Sequence, residues 1–333
     1  MRHFLVLVFL AVTSLHALEY YGKNLEGYTY PFEVKRYNLN IQNQTLSMAY
    51  MDVVPEHPNG HVVVLLHGKN FTGAYWERTA KVLASEGYRV IIPDQIGFGK
   101  SSKPEHFQYS FQMFAYNTAA LMDHLKITKS HIIGHSMGGM LAVRYALMFP
   151  ERVEKLILEN PIGLEDWQRF IPNPSLDYWY GQELNKNAQA IYRYELESYY
   201  DNHWKAEYQP WVDILASFTL GADYPNVAWN QALISEMIVT QPVCYQFDQL
   251  KMPVLLIIGQ RDRTALGKPL ASETVRKEMG NYPVLGRNAA KMIPNATLVE
   301  LPGIGHLPHI EAFEPYIKSV NVFLSDGKLS ELK

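Results

Sequence analysis

The stretch Gly134-His135-Ser136-Met137-Gly138 constrains this chain more than any other, because of what stands on either side of it. Before it, Ser130-His131-Ile132-Ile133 reads as a buried strand; after it, Met140-Leu141-Ala142-Val143-Arg144-Tyr145-Ala146-Leu147 follows an apolar helical pattern. A strand that turns straight into a helix at G-x-S-x-G is a nucleophile elbow, a turn that exposes its serine at the top of a sheet. The glycines have a steric task there. With no Cβ at 134 and 138, the backbone turns tightly enough to hold Ser136 strained with its hydroxyl projecting, and Gly139 extends the small-residue surface. The helix starting at Met137 aims its free N–H groups and positive dipole end at negative charge forming beside Ser136. The competing interpretation is a glycine-tightened helix start capped by a serine.

A nucleophilic serine needs a base, and the base needs an orienting acid. Pro253-Val254-Leu255-Leu256-Ile257-Ile258-Gly259 is a second buried-strand run, and Gln260-Arg261-Asp262 follows it, so Asp262 is the candidate acid just past a strand end. A further strand, Ala296 to Leu301, leads into Pro302-Gly303-Ile304-Gly305-His306, a loop able to deliver an imidazole to the same edge; His306 is the candidate base. The order Ser136, Asp262, His306 is the one expected of a G-x-S-x-G sheet protein and differs from the orders in the chymotrypsin and subtilisin folds. Asp262 also reads as half of a surface-turn ion pair. Its rivals for the acid are Glu159, after the strand Val153 to Leu158, and Asp166.

With these residues in place the chain resembles the α/β-hydrolase superfamily, in its lid-bearing branch of serine esterases, perhydrolases and carbon–carbon bond hydrolases, from about residue 60 to 325. Val62-Val63-Val64-Leu65-Leu66-His67-Gly68-Lys69-Asn70 is similar to the family's strand ending in an H-G turn, and Trp76 stands where many members carry an aromatic. Asp94-Gln95-Ile96-Gly97-Phe98-Gly99-Lys100-Ser101 resembles the D-x-x-G-x-G-x-S loop, and Gly305-His306-Leu307-Pro308 the G-H-x-P loop. The resemblance implies that the backbone N–H groups of Lys69 and Met137 form the oxyanion hole, and that His67 and Asp94 hold turns together. Several residues depart from family patterns. The turn reads His-Gly-Lys-Asn, and Leu307 stands where carbon–carbon hydrolases commonly carry Trp. A serine nucleophile disfavours the dehalogenase and epoxide hydrolase reactions, which need a carboxylate to form an alkyl-ester intermediate.

Composition excludes other classes. At 333 residues with 47% hydrophobic and 19% charged, the chain can bury a large core. A net charge of −3 without a long basic run gives no nucleic-acid signal. Gly-Phe-Gly-Lys-Ser at 97–101 resembles the end of a phosphate-binding loop, but Asp94 replaces the first glycine, and a carboxylate there repels phosphate. The histidines show no paired metal spacing, so no metal is assigned, and the chemistry needs no cofactor. Cys244, the single cysteine, excludes an intramolecular disulfide.

The organisation follows from local pattern. Met1-Arg2-His3, the apolar run Phe4 to Val12 and a small residue at Ala17 read as an export signal over residues 1–17, giving a periplasmic or secreted protein with no stable membrane span after cleavage; a retained N-terminal anchor is the alternative. Residues 32–39 and 44–51 alternate as an edge hairpin, and the later apolar strands alternate with helices, as at 75–85 and 114–125. The expected fold is α/β, a mostly parallel sheet covered on both faces, with its core at 18–162 and 251–333. Residues 163–250 break the rhythm and hold five of the six tryptophans (Trp167, Trp179, Trp204, Trp211, Trp229), so a helical lid is expected there. The expected activity is hydrolysis of an ester or lactone with an apolar portion, a small-molecule partner. Perhydrolysis, carbon–carbon cleavage of a dienone, or binding without catalysis are the competing expectations.

Overall fold

The computed structural model describes residues 18–327; the export signal expected over residues 1–17 lies outside the described residues. The chain enters the sheet through a hairpin of β1 (Val34–Ile41) and β2 (Gln44–Val53), paired antiparallel from Val34↔Met51 to Ile41↔Gln44. Its two turn residues, Gln42 and Asn43, both have positive φ, 51° and 59°, the conformation that matches the right-handed twist of a two-residue hairpin. The strands β3 (Val62–Leu66), β4 (Arg89–Pro93), β5 (Ser130–His135), β6 (Val153–Glu159), β7 (Val254–Gly259) and β8 (Ala296–Leu301) complete an eight-stranded sheet of order β1-β2-β4-β3-β5-β6-β7-β8. Every pair from β4 to β8 is parallel.

The apolar runs of the central strands are buried on both faces, as parallel strands between helix layers must be. Val64, Leu66, Ile132, Leu156 and Leu256 point to one face, where they meet α2 (Phe111–His124), α3 (Met137–Met148) and, further along the chain, the helix at 282–292. Their neighbours Val63, Leu65, Ile133, Ile157 and Leu255 point the other way, against α1 (Glu77–Ser85) and the C-terminal helix at 313–324. The two side-chain periods, two along the strand and 3.6 around the helix, generate both cores from one set of residues.

Between β6 and β7 the chain leaves the sheet and builds α4 (Leu176–Leu184), α5 (Ala188–Ser198), α6 (Gln209–Phe218) and α7 (Tyr224–Thr240), with α4 packed on α7 and α5 on α6. The ends are set locally: the Ser175 and Asn187 side chains accept from Tyr178 N and Ala190 N, and proline stands in the first turn of α6 and α7. After β7 come α8 (Glu273–Glu278) and α9 (Tyr282–Met292), and after β8 come α10 (Pro308–Glu311) and α11 (Phe313–Leu324). Among the described residues no helix is long and apolar enough to cross a membrane.

Two glycines give opposite expectations. A Cβ on Gly138 falls 2.1 Å from the Leu66 carbonyl oxygen, which is backbone and cannot move aside, so Gly138→Ala is expected to cost about 3 kcal/mol. The thermal midpoint then falls by roughly 6–12 °C. Gly181, inside α4, has nothing within 4 Å of a built Cβ, so Gly181→Ala is expected to stabilise by about 0.5–1 kcal/mol. Thermal unfolding of both variants checks the pair, and an unchanged midpoint for Gly138→Ala contradicts the packing described.

Candidate active site

Ser136 sits at the junction of β5 and α3 with φ 56° and ψ −121°, a left-handed conformation strained for a residue with a Cβ. Close packing imposes it. A Cβ on Gly134 falls 2.3 Å from the Gly138 carbonyl oxygen, and one on Gly139 falls 2.5 Å from Pro161 Cβ, so only glycines allow the strand and helix to meet this closely. The turn is pinned by backbone bonds: Ser136 N donates to the Glu159 carbonyl at 3.2 Å, and the Ser136 carbonyl accepts from Gly139 N at 2.9 Å and Ile162 N at 3.2 Å.

Strand ends bring the other two sequence-derived residues to this serine. His306 Nε2 lies 2.9 Å from Ser136 Oγ, and His306 Nδ1 lies 2.6 Å from Asp262 Oδ2. All three are buried. Asp262 is fixed from two further directions, by Thr264 N on Oδ1 at 2.8 Å and by Asn160 Nδ2 on Oδ2 at 2.7 Å. Burial works to raise its pKa, but the His306 imidazole and the Thr264 hydrogen bonds prevail and hold the carboxyl below its ordinary value. Asn160 also accepts the Gly259 N–H at 2.9 Å, so one amide ties the ends of β6 and β7 together.

A second layer lies under the imidazole. Gly68 N donates to Tyr75 Oη at 3.0 Å, that hydroxyl lies 3.0 Å from His135 Nδ1, and His135 Nε2 lies 2.7 Å from the His306 carbonyl. A carbonyl only accepts, so His135 carries its proton on Nε2, and its Nδ1 accepts a hydrogen bond from the Tyr75 hydroxyl. Burial first, and His306 second, keep its pKa well below the ordinary imidazole value.

The rival acids are engaged elsewhere. Glu159 is fully buried, accepts from His309 N at 2.8 Å and faces His309 Nδ1 at 2.7 Å; burial pushes its carboxyl up to about 7. Asp166 caps the turn at Trp167 through Gln168 N and accepts from Tyr245 Oη. The turn-holding roles expected of His67 and Asp94 match the bonds they make. His67 Nε2 accepts from Gln95 N, while Asp94 accepts from Gly73 N, Lys100 N and Tyr30 Oη. Gly68 abuts the elbow, a Cβ there falling 3.1 Å from Ser136 Cβ, so the turn that carries Lys69 runs against the residue before Met137. No acceptor among the described residues takes either N–H.

Above Ser136 a cavity of about 450 Å³ opens between the strand ends and α4 to α7. Trp167 and Trp179 line it, whereas Trp204 packs against Tyr192, Tyr200 and Tyr208 of the same helical layer, Trp211 meets Tyr75 edge-on, and Trp229 donates to the Glu105 carbonyl at 3.2 Å. The wall is not purely apolar. Lys69 Nζ reaches Glu183 Oε1 on α4 at 2.8 Å, and Lys186 Nζ reaches Oε2 at 2.6 Å. Burial works to raise the Glu183 carboxyl, but Lys186 and Lys69 hold it down at about 2. At the opposite end of the strands, His61, His131 and Glu154 gather ligand-type atoms within 4.8 Å, from positions too scattered for a motif to reveal. Both imidazoles stand 3.2 Å from Glu154 Oε2, and His61 Nδ1 is hydrogen-bonded to it.

Residues 61–313 match the family model described as alpha/beta hydrolase fold. The chain is 28% identical to Lipase 1 of Psychrobacter immobilis over 301 residues, 88% of this chain and 87% of that protein. It is 29% identical to a 2-hydroxy-6-oxo-2,4-heptadienoate hydrolase of Pseudomonas putida over 180 residues, 47% of this chain and 65% of that one. Its structure superposes on a probable hydrolytic enzyme from Pseudomonas aeruginosa PAO1 with TM-score 0.90 and 49% identity, covering 91% of this chain and 98% of that one.

Asn160→Ala is expected to leave the buried Gly259 N–H without a partner and to remove a donor from Asp262, at about 1–3 kcal/mol. Denaturant unfolding measures the loss. Wild-type stability in this variant contradicts the bridging role.

Proposed function

Since this chain belongs to the alpha/beta hydrolase family, we propose that it is a serine hydrolase that cleaves a carboxylic ester or lactone through an acyl-enzyme. The observation that carries the proposal is the continuous relay from Ser136 Oγ through His306 to Asp262, at 2.9 and 2.6 Å, inside a cavity-lined elbow. Binding alone needs no such relay.

Ser136 Oγ attacks the acyl carbon while His306 Nε2 takes its proton; the same imidazolium then protonates the departing alcohol. Asp262 keeps Nδ1 protonated and stabilises the imidazolium without itself taking the proton. The backbone N–H groups of Lys69 and Met137 serve as the oxyanion hole, each worth about 3–4 kcal/mol at the transition state. Water, deprotonated by His306, then attacks the acyl carbon and releases Ser136. The α4 to α7 layer over residues 163–250 acts as the lid, with Trp167 and Trp179 against the apolar part of the substrate. Neither a metal nor an organic cofactor enters these steps. In this reading the export signal at residues 1–17 sends the enzyme to the periplasm or the exterior. Carbon–carbon cleavage of a dienone is the second reading, supported by the partial likeness to the heptadienoate hydrolase.

Turnover of p-nitrophenyl butyrate, a lactone and a dienone tests the choice. The ester or lactone is expected to be cleaved, and Ser136→Ala and His306→Ala are each expected to lower kcat by roughly 10⁴-fold or more with the fold intact. Near-wild-type turnover by either variant, or cleavage of the dienone alone, contradicts the proposal. For the acid, Asp262→Asn is expected to cost about 10⁴ in kcat by leaving the imidazole in the wrong tautomer. Glu159→Gln, whose partner is His309, is expected to be far milder. The reverse ranking moves the acid to Glu159.

A further inference from the structure

We propose that the substrate carries a carboxylate besides its ester or lactone group, and that Lys69 and Lys186 hold this carboxylate at the cavity wall beside α4. The inference rests on the esterase reading and adds the chemical class of the substrate.

The argument starts from a charge count. Lys69 and Lys186 share one carboxylate, Glu183, at 2.8 and 2.6 Å, so two ammonium groups face one negative charge. Clamping α4 to the 67–70 turn needs only the Lys69–Glu183 bond. Lys186 adds a positive charge that the clamp does not use. A third lysine, Lys103, lines the same cavity, is buried, and spends its donors on the carbonyls of Gly99 and Ser101, at 2.7 and 3.3 Å, rather than on a carboxylate.

The other acids at the cavity do not balance this excess. Asp262 is committed to His306. Glu195 lines the cavity fully buried, with neither carboxylate oxygen bonded to any described residue, and burial holds its pKa well above the ordinary carboxylate value, which disfavours its charged form. Burial pushes Lys69 down to about 8, with Glu183 opposing, and Lys103 down to about 7, with Asp94 opposing. Lys69 is buried and has only a share of Glu183, a costly state that an incoming anion relieves, while Lys186, with 37% of its side chain exposed, is free to turn from Glu183 to that anion. One uncompensated charge at Glu183 matches a monoanion.

Position makes the charge useful. The backbone N–H of Lys69 faces the reacting carbonyl in the mechanism above, while its side chain runs along the cavity to α4. A carboxylate bound there sits a fixed distance along the substrate from the bond that breaks, which sets register as well as affinity.

The test compares two p-nitrophenyl esters of one acyl length, the adipate with a free carboxylate and its methyl-capped neutral form. The wild-type protein is expected to favour the free carboxylate by about tenfold in kcat/KM, mostly through KM. Lys186→Met is expected to cut that preference about fivefold by raising KM for the free carboxylate, and Lys186→Arg to keep the preference. Thermal midpoints confirm that both variants are folded. Hydrolysis of both esters without preference, or a preference that Lys186→Met leaves intact, overturns this proposal alone. Absence of hydrolysis of both esters and of p-nitrophenyl butyrate overturns it together with the esterase reading.

Discussion

The contact between the first turn of α3 and the ends of β3 and β5 is the constraint on which the rest of the site depends. At Gly138 the helix backbone runs so close to Leu66 that a methyl group has no room, and at Gly134 the strand meets the helix as tightly. Ser136 is caught between them at φ 56°. Such a conformation costs about 1–3 kcal/mol and persists only where its surroundings over-determine it. Here they do, through three backbone bonds and two cores that bury the strands on both faces. The same contact sets the first turn of α3 against the end of β3 and the turn after it, through Leu66 and His67.

His306 and Asp262 are attached to this contact by hydrogen bonds. Asn160 ties Asp262 to the end of β6, next to the strand that presents Ser136. His135 ties the His306 backbone to Tyr75 and through it to Gly68, and only the neutral Nε2–H tautomer satisfies every bond in that chain. Loop residues 260–264 and 302–307 thereby acquire the precision of the strands that carry them. The helical layer above is joined to the 67–70 turn through the Lys69–Glu183 ion pair, which is buried and therefore depends on its geometry.

Much of this was legible in the sequence, for identifiable reasons. The parallel strands are continuous apolar runs, and the hairpin alternates around Gln42-Asn43, so the α/β sheet followed from period alone. Ser136, Asp262 and His306 could be picked out because each stands just past a strand end, where a backbone turn is unavoidable. The choice between Asp262 and Glu159 needed coordinates, since both follow strands; what separates them is His309, whose N–H and imidazole occupy Glu159. Asn160, Tyr75 and His135 were missed as functional neighbours: they act through contacts as distant as 102, 60 and 171 residues, and no local period records those. The tryptophans at 163–250 suggested an apolar roof, and two of them do line the cavity. The charged wall went unread because Lys69 lies 114 residues from Glu183.

The central claim is that Ser136 is the nucleophile, activated by His306. Intact-mass and peptide mass spectrometry after brief exposure to a fluorophosphonate tests this without knowledge of the natural substrate. The account predicts one phosphonyl group per chain, on the peptide holding Ser136, formed at wild-type speed and strongly slowed in His306→Ala. Labelling on another residue, or equal labelling of Ser136→Ala, would contradict it.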